Sequence, residues 1–404
     1  MTTAAAIPTS RREFEVISLV GFGHGVSHFF HLMIPPLFPW LMPEFGLSFT
    51  QAGAMTAVFF AVSGVGQALA GFVVDHIGAR RVLLAGMLLF AAAALVLAAA
   101  QNYPTLLLAA ALAGLGNCVF HPADFTLLNR NVRSRRLGHA FSAHGLAGNL
   151  GWAMGPVFMT GVAVAADWRH AAVGAAVIAA LAFLLILVRR DSMTESELHP
   201  EQRLPIDVAP STFAFLASGA VWMCFVFFFL VTMALGTLQN FAPSAFQQLY
   251  GLSLAAGATA LTAFLLGGAA GMGVGGFLVA RSDAHERRIA IVLIAAALLA
   301  AIIASGAVPA WSVVLLMAAA GFCNGVAGPS RDMLVRRAAT ARFGQKSFGR
   351  VYGFVYSGLD TGLALAPLIF GPLMDAGHFA WVLGGVALVQ GFAVLAALSV
   401  GRRA

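Results

Sequence analysis

Charged residues are scarce in this chain. Only 10% of its 404 residues are Asp, Glu, Lys or Arg, whereas 60% are apolar. A soluble domain of this length needs far more polar surface to stay in solution, so the composition excludes a soluble globular protein. Cysteine is equally rare. Cys118, Cys224 and Cys323 lie in apolar stretches without metal-ligand spacing, and we interpret them as small hydrophobic residues with free thiols.

Nucleotide-binding signatures are absent or out of context. No Gly-x-x-x-x-Gly-Lys-Ser/Thr loop occurs, which argues against direct use of ATP. The run GMGVGG at 271–276 matches Gly-x-Gly-x-x-Gly, but it lies inside an apolar stretch with no preceding strand. This run therefore indicates close helix packing and not a dinucleotide site. No nucleophile–base pair points to an enzyme, and no cofactor is predicted.

Long hydrophobic runs occupy most of the chain. Twelve of them are long enough, at 1.5 Å per helical residue, to cross a hydrocarbon layer of ~30 Å. They lie at about 15–42, 50–74, 82–100, 104–129, 138–164, 169–188, 212–241, 252–280, 287–306, 310–334, 348–374 and 379–400. The pattern predicts an all-α polytopic membrane protein with twelve transmembrane helices.

The basic residues are distributed asymmetrically around these spans. All of the 23 Lys and Arg residues except Arg169 fall toward the same side of the pattern, and the positive-inside rule makes that side cytoplasmic. Since the number of crossings is even, both termini are predicted to be cytoplasmic. The net charge of +7 is then a feature of topology, and nucleic-acid binding is not predicted.

The chain contains an internal repeat. A polar stretch at 189–211, predicted to be a cytoplasmic linker, separates six helices in 1–188 from six helices in 212–404. Pairs of residues align between the halves: Gly114 with Gly321, Asn117 with Asn324, Pro122 with Pro329, Gly151 with Gly362 and Pro156 with Pro367. Parallel repeats predict two pseudo-symmetric six-helix bundles with a substrate site near the middle of the membrane.

The segment GFVVDHIGARR follows the second span. It resembles the loop signature of the major facilitator superfamily, Gly-x-x-x-Asp-x-x-Gly-x-Arg-Lys/Arg. By that resemblance, the loop stabilises one conformation of a transport cycle. The matching residues are Gly71, Asp75, Gly78, Arg80 and Arg81. The second half has Ala280 in place of the aspartate.

Two further segments narrow the resemblance. AGLGNCVFHPADF at 113–125 and GNLGWAMGP at 148–156 are similar to the fosmidomycin-resistance branch of the superfamily, which contains drug exporters. Gly151, Gly155 and Pro156 also match part of the superfamily's antiporter motif, although its final Gly-Gly is missing. The resemblance therefore favours export of a drug or other small organic solute.

Three acidic residues lie inside apolar spans, where an ionisable group costs roughly 2.5–3.5 kcal/mol and usually faces a cavity or a partner. A carboxyl group removed from water can exchange protons near neutral pH, as proton coupling requires. Asp360 is the strongest candidate, and Asp124 and Asp332 are further ones. The alternative is that each carboxyl group is only a hydrogen-bond partner between helices.

Helix 1 carries His24, His28 and His31 on one face, because their spacing is i, i+4, i+7. These histidines are candidates for proton transfer (His24 and His28), for substrate contact (His28 and His31), or for neither if they are only hydrogen-bonded in the interior. The spacing of His24 and His28 also suits a metal, but helix 1 has no Cys or carboxylate beside them. No metal site is predicted.

Other polar residues in the spans are candidates for contacting the substrate. Arg331 can hold an anion or extend to the cytoplasmic surface. The remaining candidates are His121, His144, Asn149, Gln239 and Asn240, and Asp360 is a candidate for this role as well as for proton coupling. Helix 1 also contains Pro35, Pro36 and Pro39, which predict a bend.

Together these features predict a monomeric secondary transporter in a bacterial inner membrane, whose partners are protons, a small-molecule substrate and the lipid bilayer. Proton-coupled efflux is the favoured function. Proton-coupled import of a small organic anion and export of a metal or metal chelate are the alternatives. A membrane-embedded enzyme or a sensor is a more remote one.

Overall fold

A computed structural model describes residues 10–193, 214–279, 285–343 and 348–403 of the chain. These residues form α-helices joined by short turns, with two 3-10 segments and no β-strand among them. The helices of the first half are α1 Ser10–His31, α2 Phe38–Phe45, α3 Phe49–Ile77, α4 Ala79–Ala98, α5 Tyr103–Asn117, α6 Phe120–Asn131, α7 Ser134–Ala165 and α8 Trp168–Val188. Those of the second half are α9 Gly219–Tyr250, α10 Leu254–Val279, α11 His285–Ala304, α12 Ser312–Phe343, α13 Phe348–Asp375 and α14 Phe379–Arg403.

The helices are long and apolar enough to cross a membrane. Within the described ranges, 11 segments meet both criteria, and α7, with 32 residues, covers the remaining predicted span at 138–164. Large apolar side chains cover the outside of the helices, as Val188 and Phe277 show with 74% and 75% of their surface exposed. An apolar exterior of this kind suits contact with lipid. The predicted all-helical membrane fold is confirmed.

Two predicted spans are interrupted. The first ends as an α-helix at His31 and continues through a 3-10 turn, Pro35–Leu37, into α2; the prolines there lack the N–H groups that a continuous helix needs. The fourth is broken at Cys118 and Val119, where Pro122 cannot donate to the carbonyl group of Cys118.

The chain divides into two compact units. The first contains the described residues up to Met33 and those from Val62 to Met193. Here α1 packs along α7, and α4 packs against α5 and α8. Glycine permits the closest approach, because a Cβ atom on Gly151 of α7 would overlap the backbone carbonyl group of Gly25 in α1.

The second unit has the same kind of contact at a repeat-related position. Its α13 packs along α9, and a Cβ atom on Gly362 would overlap the hydroxyl group of Thr232 and the carbonyl group of Phe229. Glycines of α10 lie equally close to the backbone of α12, including Gly271 of the GMGVGG run against Phe322. These contacts support the interpretation of that run as helix packing.

The segment Ile34–Ala61 belongs to the second unit, although it precedes the predicted linker at 189–211. Hydrogen bonds attach this segment to the rest of the second unit. The carboxylate of Asp375 accepts hydrogen bonds from the backbone N–H groups of Phe49 and Thr50 and from the Thr50 hydroxyl group, so it caps α3 from the end of α13. The division into two sequential bundles stays a prediction.

Buried charge also joins elements of the first unit. The carboxylate of Glu13, which is 0% exposed, accepts hydrogen bonds from Arg133 at 2.6 and 2.8 Å and from Arg136 at 3.1 Å. These contacts tie the beginning of α1 to the beginning of α7. A buried charge requires such pairing.

We expect Gly151→Ala to lower the thermal unfolding temperature, because its methyl group overlaps the α1 backbone and overpacking of this kind costs about 1–3 kcal/mol. The control is Gly161→Ala on the same helix, where a Cβ atom meets nothing within 4 Å. Tryptophan fluorescence of the detergent-solubilised protein measures both. Equal unfolding temperatures for the two variants would contradict the packing argument.

Asp375→Ala removes the acceptor at the beginning of α3, and loss of a helix cap costs about 0.5–2 kcal/mol. Asp375→Asn keeps one acceptor oxygen, so we expect it to lose less stability. Thermal unfolding of both variants is the measurement. An alanine variant as stable as the wild type would show that the cap does not hold the segment.

Candidate functional site

Three histidines of α1 form a row. The ring centroids of His24 and His28 lie 4.3 Å apart, and those of His28 and His31 lie 4.7 Å apart. His24 and His31 are buried, with 2% and 5% of their surface exposed, whereas His28 is half-buried. The row therefore faces the interior of the first unit.

A carboxylate from another helix meets this row. Asp124 of α6 is 0% exposed, and its Oδ2 atom lies 3.1 Å from His24 Nδ1 and 3.0 Å from His144 Nε2 of α7. The rings of His24 and His144 are stacked at 3.6 Å. One carboxylate oxygen is thus shared by two imidazoles inside a helical unit.

His121 completes the arrangement, one turn before Asp124. Its ring lies 5.2 Å from that of His24, and its Nδ1 atom lies 2.8 Å from Gln67 Oε1 of α3. We refer to His24, His28, His121, Asp124 and His144 as the histidine–aspartate cluster.

His31 is held differently, since both of its ring nitrogens have partners. Trp152 Nε1 donates to His31 Nδ1 at 3.0 Å, so that nitrogen carries no proton. The proton is on Nε2, which donates to Asn117 Oδ1 at 3.0 Å. Asn117 also accepts from Ser27 and donates to Ser63, both at 2.8 Å. His31 is therefore neutral, and it anchors the row.

Local structure explains how these side chains meet. The break at Cys118 and Val119 begins α6 immediately before His121. On α7, Gly148 leaves room for the α1 rings, because a Cβ atom there would lie 2.7 Å from His28 Nδ1 and 3.0 Å from His24 Nε2. The short α1–α7 separation at Gly151 places His144 next to His24.

The second unit contains four more of the predicted polar residues, which are Gln239, Asn240, Arg331 and Asp360. Asp360 is half-buried in α13. The Arg331 guanidinium group lies 4.6 Å from the Phe228 ring, a cation–π distance. Asn240 is buried and accepts a hydrogen bond from Thr56 at 2.6 Å, whereas the buried Gln239 Nε2 atom has no hydrogen-bond partner.

The other predicted site residues have varied surroundings. Asn149 Nδ2 donates to the carbonyl group of Gly145 within α7. Gly155 faces the end of α1, since a Cβ atom on Gly155 would lie 3.5 Å from the carbonyl oxygen of Phe29 and 2.8 Å from Cβ of Leu32, just after α1. Pro156 lies inside α7. The two motif glycines thus contribute to the packing of α7.

In the loop between α3 and α4, Gly78 adopts a φ of 92°, a conformation that favours glycine. Arg80 donates to the carbonyl group of Arg190 at 3.0 Å, and Arg81 is exposed. Gly71 and Asp75 belong to α3 and Asp332 belongs to α12, but the surroundings of these three residues lie outside what the structure describes.

Sequence reasoning did not identify Asn117, Trp152 and Gln67 as site residues. Asn117 carried one signal, because it aligns with Asn324 in the repeat. Gln67 and Trp152 are single polar or aromatic residues in apolar spans, and only their contacts with His121 and His31 indicate a role.

Comparison with known families agrees with this architecture. The family model described as Major Facilitator Superfamily matches residues 20–342. The chain belongs to that superfamily, which is a family of membrane transporters.

The chain has low sequence identity to individual members of the superfamily. The chain is 27% identical to the "Fosmidomycin resistance protein" of Escherichia coli (strain K12) over 277 residues, which cover 68% of this chain and 67% of that protein. It is 28% identical to the "Uncharacterized MFS-type transporter YfnC" of Bacillus subtilis (strain 168) over 43% of this chain and 42% of the relative. It is 24% identical to the "Probable L-galactonate transporter" of Escherichia coli (strain K12) over 83% of this chain and 77% of the relative.

We expect Trp152→Phe to destabilise the first unit, because it retains an aromatic ring beside His28 but leaves His31 Nδ1 without its donor. A buried polar group that loses its partner costs about 1–3 kcal/mol. Trp222→Phe is the control, since Trp222 makes a comparable hydrogen bond at an exposed position, to Leu216. The thermal unfolding temperatures of the two variants are compared. An equal decrease in both would argue against an anchoring role for His31.

Proposed function

We propose that the protein is a secondary transporter that exports a small organic solute in exchange for protons, by alternating access. The observation that carries the proposal is the shared contact of the buried Asp124 carboxylate with His24 and His144. An ionisable group of this kind in a membrane-spanning helix is expensive, and such groups commonly mark substrate or ion pathways.

The cluster is suited to binding a variable number of protons. Asp124 and His144 can share one proton along their 3.0 Å contact. The rings of His24 and His144 are stacked at 3.6 Å, so two positive charges on this pair would repel each other. His28 and His121 lie beside them as further proton acceptors. Protonation can therefore alternate with binding of a substrate.

Asp360 is proposed as a second proton-coupling residue. It occupies α13 at the position that aligns with Asn149 of α7, so the two halves carry a carboxyl group and an amide at equivalent positions. Gln239, Asn240 and Arg331 are proposed substrate contacts in the same unit.

Export is favoured by the names of the relatives, one of which is a fosmidomycin resistance protein. Import of an organic anion is the second candidate, supported by a relative named as an L-galactonate transporter and by the Arg331 guanidinium group in α12. Location in a bacterial inner membrane, cytoplasmic termini and a monomeric state belong to the same proposal.

The test uses the protein reconstituted in vesicles that contain a pH-sensitive dye. Fosmidomycin, L-galactonate and ethidium serve as anionic and cationic probes. We expect at least one probe to drive protons across the membrane in the direction opposite to its own transport. In Asp124→Asn and Asp360→Asn, this proton movement should fall to the level of vesicles without protein. Proton movement in the same direction as the probe would instead establish symport.

Asp167→Asn is the matched control. Asp167 lies between α7 and α8 in an exposed pair with His170, and hydrogen bonds from the backbone and ring of His170 lower its pKa. It therefore stays ionised at neutral pH, and its loss should leave coupled flux unchanged. Full coupled flux in both Asp124→Asn and Asp360→Asn would refute the coupling mechanism.

A further inference from the structure

We propose that the histidine–aspartate cluster also binds a divalent cation of the zinc class, with His24, Asp124 and His144 as its ligands. This inference goes beyond the proposed export of an organic solute, although it involves the same side chains. Helix 1 by itself offers only imidazoles. The tertiary structure adds the carboxylate and a third helix.

The spacing of the donor atoms fits a small cation. His24, Asp124 and His144 each offer a ligand atom, and these atoms lie within 4.8 Å of one another. Zinc binds nitrogen and carboxylate oxygen at about 2.0–2.2 Å in a tetrahedron, which separates neighbouring ligand atoms by roughly 3.3–3.5 Å. The observed separations of 3.1 and 3.0 Å around Asp124 Oδ2 are close to that spacing. Because the His24 and His144 rings are stacked 3.6 Å apart, one of them must also rotate so that both ring nitrogens point at the same ion.

The chemistry of the donors selects among cations. Two imidazoles and one carboxylate suit zinc, cobalt, nickel or copper, whereas calcium and magnesium prefer oxygen ligands alone. A divalent ion bound to neutral imidazoles also balances the buried carboxylate. With such an ion bound, the stacked rings of His24 and His144 need not both be protonated to balance this charge.

Unpaired polar atoms provide an independent indication. Asp124 Oδ1, His24 Nδ1 and His28 Nδ1 are buried and have no hydrogen-bond partner. For His24 the 3.1 Å contact with Asp124 Oδ2 is short enough, but its orientation does not make a hydrogen bond. Buried polar atoms usually have partners, and a cation held by His24, Asp124 and His144 would supply one to His24 Nδ1.

The cluster contains a second, overlapping set of possible ligands. His24, His28 and His121 also bring donor atoms within 4.8 Å of one another. The two nitrogens of His24 face different neighbours, since Nδ1 is next to Asp124 and Nε2 is next to Gly148 and His28. His24 can therefore hold an ion on either side of its ring, and Gly148 keeps the His28 side open.

Zinc binding is measured on the purified full-length protein in detergent, after removal of metals with a chelator and with an affinity tag that contains no histidine. We expect zinc chloride to raise the unfolding temperature and calorimetry to give one tight site. Cobalt chloride should produce the visible absorption bands of a tetrahedral nitrogen–oxygen site.

The variants Asp124→Asn and His144→Gln identify the ligands. Removing even an outer partner of a metal ligand weakens binding about 10–100-fold, so we expect each variant to bind zinc at least about tenfold more weakly. His170→Gln removes an exposed histidine that is also paired with an aspartate, and it should bind zinc like the wild type. Unfolding temperatures of the metal-free variants establish that each is folded.

Two results would overturn the assignment. The first is that zinc does not stabilise the wild-type protein, or that His170→Gln weakens zinc binding as much as Asp124→Asn and His144→Gln do. The second is loss of binding in Gly148→Ala, which fills the His28 side, together with full binding in Asp124→Asn. Coupled flux is measured in a separate vesicle experiment, to which a chelator is added for this purpose. A failure of zinc binding is therefore distinguishable from a failure of the proposed transport.

Discussion

The first unit depends on one constraint, which is that the Asp124 carboxyl group is 0% exposed and must find its polar partners on neighbouring helices. His24 and His144 approach the same oxygen atom from α1 and α7, and a buried charge without such partners would be strongly destabilising. The break between α5 and α6, the short α1–α7 separation and the space at Gly148 all serve this approach. His31, fixed by Trp152 and Asn117, holds the row from its other end.

The two units share a packing scheme and differ in chemistry. Gly151 and Gly362 align in the repeat, and each lies against the backbone of a neighbouring helix. A scaffold that depends on backbone contacts tolerates changes in its polar side chains. Where the first unit has Asp124, the aligned residue of the second is Arg331, and where the first has Asn149, the second has Asp360. The duplicated helices therefore carry different charges at equivalent positions.

Much of the helical framework could be predicted, because a backbone in lipid must satisfy its hydrogen bonds within helices and each helix must be long enough to cross. The bend after His31 could be predicted from the prolines near it. The break at Cys118 was not, since Pro329, which aligns with Pro122, lies inside the unbroken helix α12. Nor did the sequence indicate that Ile34–Ala61 belongs with the second unit, because its contacts with Asp375 and Asn240 join residues far apart in the chain.

The amino-acid sequence by itself determined the class of protein and the single-helix pattern of His24, His28 and His31, because hydropathy and helical periodicity are local properties. Only the tertiary structure decided which histidines share a carboxylate and which one is neutral and anchored. Those properties depend on distances of about 3 Å between atoms of different helices. No spacing along the chain encodes such distances, since they arise when glycines allow two helices to touch.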